Sequence, residues 1–257
     1  MTKTASRNID RLFFDIDDTL YSTSSFAETA RRNSIDALYN IGIDVPREEL
    51  YNELKEVISE FSSNYPYHYD KLLLRLPDRV QKDVDKDVAV ASAVMAYHRT
   101  KHEQLESFDD VHPFFEALSS SNIPNKPAII SEGLSVKQAE KILRLDLYEY
   151  FDPHGFFISE KVGISKPNPK LFQTAARQSQ TDPQNGIMIG DRLEKDIAPA
   201  NEVGFHTVHF NRVDKGSKQE KNVEDVSPDF TINGYSELRN LLDEHFQLDI
   251  PKLTDVQ

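Results

Sequence analysis

The apolar positions of this chain follow two rhythms. Leu12-Phe13-Phe14 begins a run that reaches Ile16 and ends in Asp15, Asp17 and Asp18, three carboxylates within four positions. An apolar stretch bounded this way predicts a buried strand over Arg11–Ile16. From about Tyr21 to Leu105 the rhythm is helical. Ala27, Ala30, Ile35, Leu38 and Ile41 recur at helical spacing, as do Leu50, Leu54, Val57, Ile58 and Phe61, and Val88–Tyr97 predicts another helix. Nothing in that region alternates as a strand does. After Phe108, strands and helices take turns. The predicted helices are Pro113–Ser120, Ser135–Leu145 with Ser135 as cap, Pro169–Gln178, Leu193–Val203 and Tyr235–Phe246. The predicted strands are Ala128–Ser131, Phe156–Ser159, Gly186–Ile189, His206–Phe210 and Phe230–Ile232. Residues 214–226, charged and glycine-containing, read as a mobile loop, and the tail from Gln247 as disordered.

Repeated βα units imply an α/β fold with a parallel sheet between helices. The helical region right after the first strand reads as an inserted all-α unit. This gives a discontinuous core, residues 1–20 and 106–257, and an inserted domain, residues 21–105. Parallel sheets bind ligands beyond the carboxyl ends of their strands. Asp15, Asp17, Ser131 and Asp191 all fall at predicted strand ends and are therefore expected to converge.

Composition narrows the function without fixing it. The net charge of -13 argues against nucleic-acid polymers and anionic membranes as partners, but not against a phosphorylated small molecule held at a locally positive site. There is no cysteine, so disulfides, thiol catalysis and thiolate metal sites are excluded. No apolar run approaches the roughly 18 residues of a membrane span, and Met1–Asp10 lacks the apolar centre of a signal peptide. A cytoplasmic protein, monomer or homodimer, is the expectation.

Packed carboxylates at the end of a buried strand repel one another and resist desolvation, so they need a counter-charge. On an extended strand Asp15 and Asp17 point the same way and offer oxygen ligands suited to Mg²⁺. Four elements carry a resemblance. Asp15-Ile16-Asp17-Asp18-Thr19 matches D-x-D-x-T. Ser131 is the lone hydroxyl at a second strand end. Lys166-Pro167-Asn168-Pro169 matches K-P-x-P. Gly190-Asp191-Arg192-Leu193-Glu194-Lys195-Asp196 matches G-D-x-x-x-x-D. In this order they resemble the haloacid dehalogenase (HAD) superfamily. The helical insertion is similar to the C1 cap of its subfamily I, and the segments Asn64–Asp70, Ser131–Gln138 and Ser159–Gly163 look like archaeal phosphatase-like members.

The resemblance implies a Rossmann-like HAD core and a Mg²⁺-dependent phosphatase for small phosphate monoesters. Asp15 is then the nucleophile, forming an aspartyl phosphate. Asp17 is the acid and base, and its backbone carbonyl joins Asp15 and Asp191 as metal ligands. Lys166 balances charge and binds phosphate. Ser131, with the backbone amides of Glu132 and Gly133, completes the phosphate site. Thr19 orders the loop and bonds Asp17, and Asp196 orients Lys166 or a metal-bound water. Asp17 favours phosphate-ester cleavage over dehalogenation, because an alkoxide leaving group needs a proton and a halide does not. A phosphomutase, a phosphonatase or a catalytically silent metabolite-binding protein are the rivals on the same core. Arg192 and Glu132 stand where relatives often carry Ser or Thr, and Asn or Asp.

Other features read more plainly. Lys161 is the rival to Lys166, but Pro167 and Pro169 favour the latter. His98 and His102 have metal-ligand spacing yet lack further ligands and read as surface residues. The cluster Tyr65, Tyr67, His68 and Tyr69 reads as helical-unit core or surface rather than pocket lining. Tyr21 and Ser22 mark a hinge, and Asp83–Asp87 a solvated turn.

Overall fold

The computed structural model describes residues 8–62, 65–80, 82–212 and 226–252. All but the last residue of the 214–226 loop therefore lie outside the described residues. The chain divides into two compact units, Ser24–Leu105 and Met1–Thr23 with Glu106–Gln257.

The first of these is helical. It holds α1 (Thr23–Asn40, starting at the junction), α2 (Arg47–Phe61), α3 (His68–Arg75) and α4 (Lys86–Gln104). Its core gathers Ile35, Leu38, Leu50, Leu54, Leu72 and Ala93. Helix α3 has only about two turns, too few for periodicity to reveal it. Helix α4 extends beyond the Val88–Tyr97 prediction because its buried positions are the small residues Ala89, Ala93, Ala96 and Thr100. Within the expected solvated turn, Asp85 caps α4 by accepting from the backbone N–H of Asp87 and Val88 at 3.0 and 3.1 Å. In the aromatic cluster Tyr65 meets Tyr67 at 5.6 Å and His68 at 5.7 Å between ring centroids and stacks on Phe61 at 4.8 Å, while the Tyr69 hydroxyl donates to Ser34 Oγ at 2.8 Å.

The other unit is the α/β core. Its strands are β1 (Arg11–Phe14), β2 (Ala128–Ser131), β3 (Phe156–Ile158), β4 (Gly186–Gly190), β5 (His206–Phe210) and β6 (Phe230–Ile232). They form one parallel sheet in the order β3-β2-β1-β4-β5-β6. Among the described residues six α-helices accompany them: α5 (Val111–Ser119), α6 (Ser135–Arg144), α7 (Ser159–Val162), α8 (Pro169–Gln178), α9 (Ala198–Val203) and α10 (Tyr235–Phe246). Strand β1 shows why its run is apolar without alternation. Phe13 packs with Leu171, Phe172, Met188 and Phe205 in one cluster. Phe14, pointing to the opposite face, meets Phe115 at 5.2 Å, Phe151 at 6.2 Å and Tyr235 at 6.5 Å between ring centroids.

Several element ends differ from the sequence expectation by a residue or two, and four departures have a visible cause. Strand β1 stops at Phe14, two residues early, because the chain turns through Asp18 with a left-handed φ of 55°. The helix expected at Leu193 opens as a π-helical turn over Leu193–Ile197 before α9, which ends at Gly204 in the left-handed conformation that glycine supplies freely. Ser135 is the first residue of α6 and not its cap; its N–H donates to Glu160 Oε2 at 2.8 Å. After α10 the chain stays packed as far as it is described, with Leu248 and Ile250 buried, which corrects the expectation of disorder from Gln247. Among the described residues no helix is long and apolar enough to cross a membrane.

The packing around β1 yields a stability prediction. Phe14→Ala should cost about 3–5 kcal/mol in urea unfolding, whereas Val136→Ala, at a position 81% exposed, should stay within about 0.5 kcal/mol.

Candidate active site

The chain builds the sheet outward from β1 on one side and from β4 on the other, so a crevice lies at the carboxyl ends of these neighbouring strands. Asp15 follows β1 and Asp191 follows β4. The Asp15 N–H donates to Ile189 O at 2.9 Å, which holds the residue against β4 after β1 itself has ended.

Lys166 enters from the loop ahead of α8. Pro169 occupies the helix start and the Asn168 side chain accepts from the Lys170 N–H at 3.0 Å, so K-P-N-P is a helix entry that leaves Lys166 just outside. The buried Lys166 Nζ donates to Asp15 Oδ1 at 2.8 Å and to Asp196 Oδ1 at 2.5 Å. Asp196 Oδ2 accepts from the Arg192 N–H at 3.0 Å, so both oxygens of Asp196 are engaged. Gly190 makes room for it: a Cβ there would stand 2.6 Å from the Asp196 carboxylate. Lys161 is exposed and lines a cavity of about 400 Å³ with His154, Phe157 and Arg177, among none of these residues.

One oxygen from each of Asp15, Asp191 and Asp196 lies within 4.8 Å of the others. Three carboxylates against one ammonium leave two negative charges uncompensated. Burial first, opposed by Lys166 and reinforced by the charges of Asp196 and Asp17, raises the Asp15 pKa from 3.8 to about 6. Burial and the neighbouring Asp196 and Asp15 push Asp191 well above the usual carboxylate range. Burial works against the charge on Lys166, but the two carboxylates it bridges outweigh that and raise its pKa. Asp191 Oδ1 is buried and has no hydrogen-bond partner among the described residues. An oxygen-only set with an orphaned carboxylate atom and a charge excess of two fits a hard divalent cation such as Mg²⁺. His98 and His102 belong to no such cluster among the described residues.

Asp17 is held in a separate set of contacts. Lys141 Nζ donates to both its oxygens, at 2.6 and 2.8 Å. Gln138 Nε2 donates to Oδ2 at 3.2 Å, Thr23 Oγ1 to Oδ1 at 3.2 Å, and the Tyr21 hydroxyl to Oδ1. Burial alone would raise the Asp17 pKa; Lys141, Tyr21 and Gln138 more than offset it, and the carboxyl lies below its ordinary value. Thr19 does not make the expected bond to Asp17. Its hydroxyl is buried without a partner among the described residues, Thr23 stands in its place, and its carbonyl accepts from the Tyr235 hydroxyl at 2.9 Å.

At the end of β2 the buried Ser131 hydroxyl has no partner among the described residues, as suits a group awaiting a ligand. Next to it, the Gly133 N–H donates to Ser159 Oγ at 2.8 Å and is already engaged. The Glu132 side chain turns to Lys195 and Ser165, and its carbonyl accepts from Gln138 Nε2 at 2.5 Å. Sequence reasoning placed Tyr21 at a hinge and passed over Lys141, Gln138 and Thr23. Gln138 and Lys141 are three apart, one face of a helix that follows a strand carrying Ser131; that spacing was the available signal.

The model of the haloacid dehalogenase-like hydrolases matches residues 9–204. Two curated relatives are named glyceraldehyde 3-phosphate phosphatase. The one from Methanopyrus kandleri is 43% identical over 92% of this chain and 98% of its own, and the one from Pyrococcus furiosus 41% identical over 79% and 81%. Among solved structures, the HAD-hydrolase YfnB from Bacillus subtilis bound to magnesium shares the fold, with a TM-score of 0.61 at 19% identity over 92% of this chain and 99% of that one. The chain belongs to the haloacid dehalogenase-like hydrolases. Within them it is a phosphatase-type member, a phosphoric monoester hydrolase.

The uncompensated carboxylates make a signed pH prediction. An Asp15 pKa raised above its unfolded value means that the folded protein retains a proton that the unfolded chain has released. Stability of the metal-free protein should therefore fall as pH rises from about 4 to about 6, by about 3 kcal/mol at most from Asp15. Thermal unfolding in EDTA across this range checks the slope; a stability that rises through the window contradicts it. Asp191→Asn should flatten the slope.

Proposed function

We propose that this protein is a Mg²⁺-dependent phosphatase that hydrolyses small phosphate monoesters through a phosphorylated Asp15. The observation that carries this reading is the arrangement around Asp15: a carboxylate oriented by a buried lysine and set in a carboxylate cluster that lacks a divalent cation's worth of positive charge. Asp15, Asp191 and the carbonyl of Asp17 would hold Mg²⁺, which when bound neutralises charge between an anionic nucleophile and an anionic phosphate and polarises a phosphoryl oxygen.

The protein's own groups do the rest. An Asp15 oxygen attacks phosphorus as the ester P–O bond breaks, its electron pair leaving on the alcohol oxygen. Asp17 passes a proton to that oxygen. Because the Asp17 contacts favour its ionised form, this proton enters on the substrate, whose phosphate has a second pKa of about 6. In the second half Asp17 takes a proton from the water that attacks phosphorus, the Asp15–phosphate bond breaks, and inorganic phosphate leaves. Lys166 steadies Asp15 and the transferring group, with Asp196 holding its ammonium in place. The Ser131 hydroxyl, unpartnered and buried, serves a phosphate oxygen; the amides of Glu132 and Gly133 join it if Ser159 releases the latter.

We read residues 21–105 as a C1-type cap domain and residues 1–20 and 106–257 as the catalytic core. A small phosphorylated metabolite is the partner, and the names of the curated relatives make glyceraldehyde 3-phosphate the first substrate to test.

Purified protein should release phosphate from glyceraldehyde 3-phosphate and p-nitrophenyl phosphate with Mg²⁺ and lose this activity in EDTA. Asp15→Asn should lower kcat by at least about 10⁴-fold while circular dichroism and thermal unfolding still report a folded protein. Wild-type rates in that variant, or metal-independent turnover, would overturn the assignment.

A further inference from the structure

The contacts of Asp17 are denser than those of the proposed nucleophile. Its carboxylate accepts from four side chains, Tyr21, Thr23, Gln138 and Lys141, and Lys141 spans both oxygens. The Lys141 ammonium also lies 5.7 Å from the Tyr21 ring centroid. Gln138 is itself fixed, because its amide bonds the carbonyl of Glu132, the residue after Ser131. Helix α6 thus presents two donors, one turn apart, to an acid on the loop after β1. The Asp17 side chain is still 32% exposed and the Lys141 side chain 19%, so the carboxylate is clamped on one side and open on another. None of these four residues belongs to the four motif elements of the sequence, D-x-D-x-T, the lone Ser131, K-P-x-P and G-D-x-x-x-x-D.

An aspartate side chain has only two torsions, and loop residues sample several combinations of them. Proton transfer demands a heavy-atom separation of roughly 2.6–3.2 Å to one chosen oxygen. We infer that Lys141, assisted by Gln138, is the positioning residue that holds Asp17 toward the leaving-group oxygen and then toward the attacking water. This rests on the reading of Asp17 as acid and base given above. Lys141 acts through Asp17 and does not touch the reacting atoms. The proton itself travels on Asp17: its carboxyl O–H protonates the departing alkoxide, and its carboxylate later takes a proton from water, so Lys141 is unchanged over the cycle.

The leaving group separates this role from a structural one. p-Nitrophenolate departs without a proton, whereas the alkoxide of glyceraldehyde 3-phosphate needs one. Lys141→Met should lower kcat/KM, which reports only the steps up to departure of the alcohol, on glyceraldehyde 3-phosphate by about 100-fold, at least about tenfold more than on p-nitrophenyl phosphate. Lys141→Arg, which can still reach both oxygens, should recover part of the loss. In an Asp17→Asn background, Lys141→Met should add less than about threefold, because the two act as a unit.

Equal losses of kcat/KM on both esters would overturn the proposal in favour of a structural role. A further tenfold loss in the Asp17→Asn background would overturn it in favour of direct substrate contact. Should Lys141→Met fail to fold, Lys141→Gln carries the same comparison. If Asp17→Asn lowers kcat/KM for both esters alike, the reading of Asp17 as the acid falls, and the Lys141 assignment with it. A selective Asp17→Asn beside an unselective Lys141→Met overturns the Lys141 assignment alone.

Discussion

Lys166 stands between two buried carboxylates, and a third lies within reach of both. A protein interior tolerates charge only when it is paired, and this cluster is paired for one of its three anions. The rest of the core can be read as the framework that keeps the imbalance in place. Neighbouring parallel strands bring Asp15 and Asp191 to one edge, α8 begins where Lys166 must stand outside it, and Gly190 lacks the atom that would fend off Asp196. The arrangement withholds stability from the metal-free protein and concentrates negative potential at one point of the sheet. Positive charge, whether of a cation or of a transferring group's partner, is what the site lacks.

Two neighbouring acids, two residues apart in sequence, sit in opposite environments. Asp15 shares its lysine with Asp196 and is driven toward its neutral form, while Asp17 has Lys141 and three further donors and is driven toward its ionised form. Groups so close along the chain differ this much because β1 ends between the sheet edge and the turn at Asp18, which sends their side chains to different company.

Much of this was legible in the sequence. The apolar run ahead of Asp15 pointed to β1 and the strand-and-helix alternation after Phe108 to β2 through β6; β1, β2 and β4 are buried throughout and read as short apolar runs. The four motif elements brought Asp15, Ser131, Lys166, Asp191 and Asp196 forward in order, and the two prolines distinguished Lys166 from Lys161. What escaped has physical reasons. Helix α3 is short, and α4 hides its buried face behind small residues. The exchange of Thr19 for Thr23 as a partner of Asp17 depends on how a tight turn points its side chains, which spacing does not encode. Lys141 looks like any solvent-facing lysine of an amphipathic helix until α6 is laid beside the loop after β1.

The hydrogen bond from Tyr235 to the carbonyl of Thr19 joins residues 216 positions apart. The loop that carries both acids is thus braced by a helix from near the far end of the described chain, and Phe14 beneath it packs on the same tyrosine ring. Contacts of such long separation carry a loop-closure cost, since a large loop must close before they bring any return. During synthesis the first motif leaves the ribosome long before its brace exists. The nascent chain therefore carries these carboxylates through most of its production as a loosely held loop, and a finished site awaits the last helix.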